Sequence, residues 1–155
     1  MTESPLPVYI GFEAGYFEDT DLVHWAVEYL PMSEYFARDS DLVALAGINT
    51  RLHLEVEKAG SYLKTFVYKV WPEFNLQGSK SEIYARKYFR KRLREYLSGE
   101  CQPYQVCRMV TPIENLYDFP KWLGNMYDAC DWIESDTERA DCRHLEDEIE
   151  NTIKL

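Results

Sequence analysis

Between Thr50 and Trp71 the apolar residues Leu52, Val56, Ala59, Leu63, Phe66, Val67 and Val70 recur mostly at steps of three and four, and Pro72 then forbids continuation. Such a period places them along one face of an α-helix, so the spacing predicts a helix over 50–71. No other run in the chain limits its fold so tightly. The rest of the sequence is punctuated in the same way. Asp19, Thr20 or Asp21 can cap a helix that carries Leu22, Val23, Trp25, Ala26 and Val27 to about Leu30, where Pro31 stops it. A shorter helix follows from Asp41 to Ala46, opened by Asp39 or Ser40 and closed by Gly47. Ser79 and Glu82 have the spacing of a capping box ahead of a helix over 81–97, with the stripe Ala85, Tyr88, Phe89, Leu93, Tyr96 and Leu97, and Gly99 lies just past its end.

The C-terminal third reads less regularly. Pro103 can start a helix while Pro112 would break one near Val110, so the stretch 101–117 is expected to hold one short helix and a bend. Residues 119–134 are amphipathic, with Phe119, Trp122, Leu123, Met126, Tyr127, Cys130 and Ile133 on one side. A last helix, over 137–153, is poorer in apolar residues. The segment Val8 to Phe12 alternates like a strand, but it is short and leads into Gly15, so it is read as a first short helix. The expected fold is therefore all-α: a single domain over residues 1–155, built as a bundle of six or seven helices. A chain of 155 residues that is 46% hydrophobic has the material for a core that buries roughly 70% of the unfolded chain's surface.

No run of eighteen apolar residues occurs, and the N-terminal Met1–Pro7 lacks a cationic segment followed by an apolar one, so neither membrane spanning nor secretion is expected. A chain with this apolar content needs no covalent staples. Cys101, Cys107, Cys130 and Cys142 are accordingly read as free thiols in a reducing cytoplasm.

The net charge of −10 is distributed in blocks: −8 over residues 1–50, +6 over 51–108 and −8 over 109–155. An acidic surplus repels nucleic acid and attracts basic partners, acting on association rate and specificity rather than on fold. Asp128, Asp131 and Glu134 fall on one strip of the helix expected over 119–134, and Asp136, Glu138 and Asp141 extend it. Ten acids against two arginines between Asp128 and Glu150 exceed what solubility requires, which makes this stretch the candidate partner-binding surface. Arg86, Lys87, Arg90, Lys91, Arg92 and Arg94 place six cations within nine residues. In a chain this acidic they are read as counter-charge to the acidic helices rather than as a phosphate-binding patch. Tyr84, Tyr88, Tyr96, Tyr104, Tyr117 and Tyr127 are among twelve tyrosines, more than a core of this size needs, so some are expected to serve as interface anchors.

Signatures of the common enzymes are missing: there is no nucleophile elbow, no zinc helix, no phosphate loop and no dinucleotide fingerprint. His24, His53 and His144 fall on different expected helices, and Cys142 with His144 lacks zinc spacing because positions two apart on a helix diverge. No catalytic residue, metal or cofactor is assigned. An adaptor that binds through the aromatic surface, an enzyme assembled from dispersed acids and histidines, and an RNA-associated protein using Arg86 to Arg94 stand as rival readings.

Gly15 to Leu30, followed by Asp41 to Ile48, resembles small all-helical bacterial proteins in which a glycine turn leads into a Trp-Ala helix. The later blocks Leu97-Ser-Gly-Glu100, Val110-Thr-Pro-Ile-Glu-Asn-Leu-Tyr117 and Trp122-Leu-Gly-Asn-Met-Tyr-Asp-Ala-Cys-Asp131 are similar to immunity proteins of bacterial polymorphic or contact-dependent toxin systems. Together these blocks cover somewhat under half of the chain. The resemblance implies a cytoplasmic, non-catalytic inhibitor that occludes the active site of one cognate toxin, often a nuclease. The charge argument fits independently, because a nuclease grips phosphate with basic residues that an acidic protein can engage.

Overall fold

The computed structural model describes residues 2–155. It is all-α, with seven helices of seven or more residues and no strand among the described residues. The chain forms two compact units: the first comprises the residues up to Glu13 together with Phe17–Leu76, the second Ala14–Tyr16 together with Gln77–Leu155.

The first unit holds α1 (Pro5–Glu13), α2 (Asp19–Tyr29), α3 (Ser40–Ala46), α4 (His53–Val56) and α5 (Ala59–Val70). Residues 8–12 are helical, as their reading as a first short helix expects, and Pro5 sits at the first helical position, where a missing N–H costs nothing. Asp39 caps α3 by accepting hydrogen bonds from the N–H groups of Asp41 (2.9 Å) and Leu42 (3.1 Å). The helix expected over 50–71 is divided. Its first turn, α4, stops at Val56, and the main helix starts again at Ala59, so Leu52 and Leu54 stay exposed while Leu63, Phe66 and Val67 are buried. Gly60, a weak helix former in the first turn of α5, is packed against the ring of Phe12 and marks where the chain re-enters the core. That core joins Val8 and Tyr9 of α1, Leu22, Val23, Trp25 and Ala26 of α2, Leu42 and Leu45 of α3, and the buried face of α5.

Lys69 on α5 lies 2.6 Å from Asp39 and 2.7 Å from Asp41, tying α5 to the start of α3. Burial acts to raise the Asp39 carboxyl, but the Lys69 ammonium and the N–H groups of Leu42 and Asp41 outweigh it and hold the carboxyl below its ordinary value. A carboxyl depressed in the folded state stabilises above its unfolded value, near 4, and loses that contribution as pH falls further. The Asp39→Asn variant, which keeps a capping side chain, is expected to be less stable than the parent by about 1 kcal/mol at neutral pH. Denaturant melts across pH check this: the gap should close below about pH 4.

The second unit holds α6 (Ser79–Leu97), α7 (Pro103–Cys107), α8 (Val110–Tyr117), α9 (Met126–Cys130) and α10 (Arg143–Thr152). Gly78 rather than Ser79 occupies the N-cap of α6, and no capping box forms; Glu82 instead accepts a hydrogen bond from the Trp122 indole N–H at 2.8 Å. Gly99 follows the helix with φ +81°, the left-handed conformation that ends helices. Pro112 does not break a helix, because it falls in the first turn of α8, where backbone N–H groups have no helical acceptor.

The helix expected over 119–134 does not form. Asp118 and Phe119 both adopt positive φ (52°), Pro120 follows, and a single 3-10 turn, Lys121–Leu123, leads to the five-residue α9. The helix expected over 137–153 is likewise reduced to a 3-10 turn, Arg139–Asp141, and α10. The cysteine expectation is corrected as well. Cys107 and Cys130 form a disulfide that joins α7 to α9, while Cys101 and Cys142 are buried free thiols.

Gly15 belongs to this unit and has φ +84°; a Cβ there would lie 2.8 Å from the Arg108 carbonyl oxygen and 3.2 Å from the Met109 Cα. Backbone cannot yield as a side chain does, so Gly15→Ala is expected to cost about 2–3 kcal/mol. At Gly99, with open space around the same φ, alanine should cost only about 1 kcal/mol. Comparing the two denaturation midpoints separates the close approach from the backbone preference.

Candidate functional site

Asp128, Asp131, Glu134, Asp136, Glu138 and Asp141 are all exposed, and none takes part in an ion pair among the described residues. They do not lie along one helix as the sequence suggested. Asp128 is on α9 and Asp131 caps its C-terminus; Glu134 and Asp136 lie in a turn closed by the bond from the Glu134 N–H to the Thr137 hydroxyl (2.8 Å). Glu138 caps the 3-10 turn that carries Asp141. Short elements thus present the acids on a segment anchored at several points. His144 Nε2 lies 2.9 Å from the Ala129 carbonyl, and its ring packs on Trp132 with centroids 4.9 Å apart. Cys130 is bonded to Cys107, and the Glu148 carboxylate accepts from the Asn125 N–H at 2.9 Å and from the Thr152 hydroxyl at 3.2 Å. Glu148 is therefore an anchor rather than a free surface charge.

Apolar surface adjoins these acids. Tyr127 is 57% exposed and Trp132 49%, and an open cleft of about 260 Å³ runs beside the disulfide, lined by Tyr104, Arg108, Thr111, Tyr127, Asp131 and Ile133 among others. Large, half-buried aromatics flanked by charge are the composition of interface anchors. Tyr104 and Tyr127 were recognisable in the sequence as candidate anchors. Trp132 was legible as well, since on the helix expected over 119–134 it falls opposite the apolar side, one turn from Asp128.

The basic stretch does not behave as one group. Arg92 alone is buried: its guanidinium donates to the Tyr16 carbonyl oxygen at 2.7 Å, covers the Tyr16 ring at 4.2 Å and lies 3.6 Å from Glu95, which also accepts the Tyr16 hydroxyl at 2.9 Å. Arg86 donates to the Leu155 carbonyl oxygen at 2.8 Å. Lys87, Lys91 and Arg94 are exposed and make no ion pair among the described residues, so internal counter-charge describes Arg92 and not its neighbours.

His24 is exposed, His53 pairs with Glu57 on the surface at 2.9 Å, and His144 serves the anchoring contact above. Among the described residues no three His, Cys, Asp or Glu side chains converge as a metal site would need, and no helix is long and apolar enough to cross a membrane. Compared with known protein families, with characterised proteins and with solved structures, the chain matches none.

Proposed function

We propose that this chain is a non-catalytic protein-binding inhibitor, of the kind found as immunity proteins beside bacterial toxins. In this reading it acts in the cytoplasm and occludes the basic, nucleic-acid-gripping surface of a cognate toxin, needing no metal, cofactor or catalytic residue of its own. The observation that carries it is the C-terminal surface: Asp128, Asp131, Glu134, Asp136, Glu138 and Asp141 stand exposed and unpaired next to the exposed rings of Tyr127 and Trp132. Unpaired carboxylates steer a cationic partner, and the adjoining rings supply the desolvated anchors that hold it.

The partner is to be sought as the protein encoded beside this chain, or as the protein that a tagged copy retains from its native host. Joint reversal of Asp128, Asp131 and Glu134 to Lys should weaken that complex by at least about 100-fold, because like charges then face one another. All three side chains are exposed, so the helical circular dichroism should not change. Undiminished affinity in the triple variant would remove this surface from the reading.

A regulatory or adaptor module is the second reading. It rests on exposed apolar side chains in the first unit, Tyr35 (86%), Leu54 (76%) and Met32 (63%). Binding through them would be indifferent to the charge reversal and to salt.

A further inference from the structure

Helix α6 carries two acids, Glu82 and Glu95, and both are occupied: Glu82 by the Trp122 indole, Glu95 by Tyr16 and Arg92. Its buried stripe is Ser81, Ala85, Tyr88, Phe89, Arg92, Leu93 and Tyr96. The opposite side presents Lys80, Tyr84, Lys87, Lys91 and Arg94 at successive steps of four and three, all exposed, with Ile83 and Leu97 also exposed on its flanks. This is a straight cationic ridge about 21 Å long, with no acid on it. The Lys87 ammonium lies over the Tyr84 ring at 5.2 Å, which leaves its charge in place.

We propose that a second copy of this chain docks on the ridge through its own acidic segment, from Asp128 to Asp141. Charge complementarity selects this occupant. The segment offers six exposed carboxylates without ion pairs, and both surfaces belong to the same unit of the same chain. Each also carries exposed apolar groups, Tyr84, Ile83 and Leu97 on one and Tyr127 and Trp132 on the other, which a charge-only contact would not need. A nucleic acid could use the cations, but the net charge of −10 would repel it at the low salt where such binding is strongest. A self-complementary pairing closes as a dimer, in which each copy gives its ridge to the other's acids. The contact hides the acidic surface assigned above to a basic partner, so assembly and partner binding would compete; the assembly itself needs no foreign protein, and the two readings fail separately.

Sedimentation equilibrium of the full chain tests the proposal. At about 0.03 M salt the mass should rise with protein concentration from 18.3 kDa toward twice that value, and at about 0.5 M salt it should return to the monomer. Joint reversal of Lys87, Lys91 and Arg94 to Glu should abolish assembly, and so should joint reversal of Asp128, Asp131 and Glu134 to Lys. Mixing the two reversed proteins at low salt should restore a one-to-one complex, because each then offers the charge the other lacks. If the ridge-reversed protein loses its helical circular dichroism, joint replacement of the same three cations by Ala takes its place, with at least a tenfold weaker assembly expected. A chain that stays monomeric at low salt, reversed variants that do not recombine, or a monomer that instead binds a short single-stranded oligonucleotide each overturns the proposal.

Discussion

Removing the bond between Cys107 and Cys130 is expected to lower stability by about 3 kcal/mol, because the disulfide closes a loop with a sequence separation of 23 and restricts the unfolded chain. In a domain of this size that corresponds to a fall of about 10 °C in Tm. The loop it closes is where the backbone is least regular, with two residues at positive φ, Pro120 and a 3-10 turn between α8 and α9. In the chain α9 lies between two 3-10 turns, and the bond to α7 is its covalent anchor. Thermal melts of the Cys107→Ser/Cys130→Ser double variant and of the parent with a dithiol reductant should coincide. Adding reductant to the double variant should change nothing further. Burial pushes the Cys101 thiol up against the opposing pull of Arg92, and pushes the Cys142 thiol up as well, so neither should react quickly with an alkylating reagent in the native protein. Rapid alkylation followed by mass measurement therefore reads the state of Cys107 and Cys130 alone. A reducing cytoplasm favours thiols, so the same measurement on protein quenched in its native host reports whether the bond persists there.

A larger loss, about 4 kcal/mol, is expected for Phe66→Ala. The Phe66 side chain is fully buried in the first unit, with the Phe36 ring 5.0 Å away edge-on and the Trp71 ring at 5.9 Å. Truncation removes the ring's burial and leaves a cavity that the close-packed core fills only in part. Leu54→Ala, at a side chain 76% exposed in α4, should stay within about 0.5 kcal/mol of the parent. Equal effects from the two substitutions in urea denaturation would contradict the core position of Phe66 and the exposed position of Leu54.

Where local signals agreed with tertiary packing, the sequence was legible. Asp39, the apolar steps of α5 and Gly99 each act in the structure as their chemistry indicates. Reading failed where a local signal admits two outcomes. Pro112 ends a helix when it lies in the interior and starts one when it lies in the first turn, and nothing in the neighbouring residues distinguishes the two. The apolar period over 119–134 is genuine, but Asp118 and Phe119 at left-handed φ delay the start to Lys121, and Gly124 at φ +61° breaks the chain between the 3-10 turn and α9. The acidic residues were legible by charge density and, for Asp128, Asp131 and Glu134, by their strip on the expected helix; charge density is indifferent to backbone conformation, and all six are exposed although that helix is missing. Pairing of Cys107 with Cys130 depends on α7 and α9 meeting in space, and sequence spacing carries no record of that. The burial of Arg92 among exposed cations follows from Tyr16, 76 residues away, which supplies its acceptor and its stacking surface.

The association rate with the partner retained from the native host reports directly on binding through the acidic surface. Measured by stopped flow at protein concentrations where the chain is monomeric, from about 0.05 to 0.5 M salt, the rate should fall at least tenfold while dissociation changes little, as electrostatic steering requires. An association rate that does not respond to salt would contradict binding through these acids and move the contact to the apolar surface.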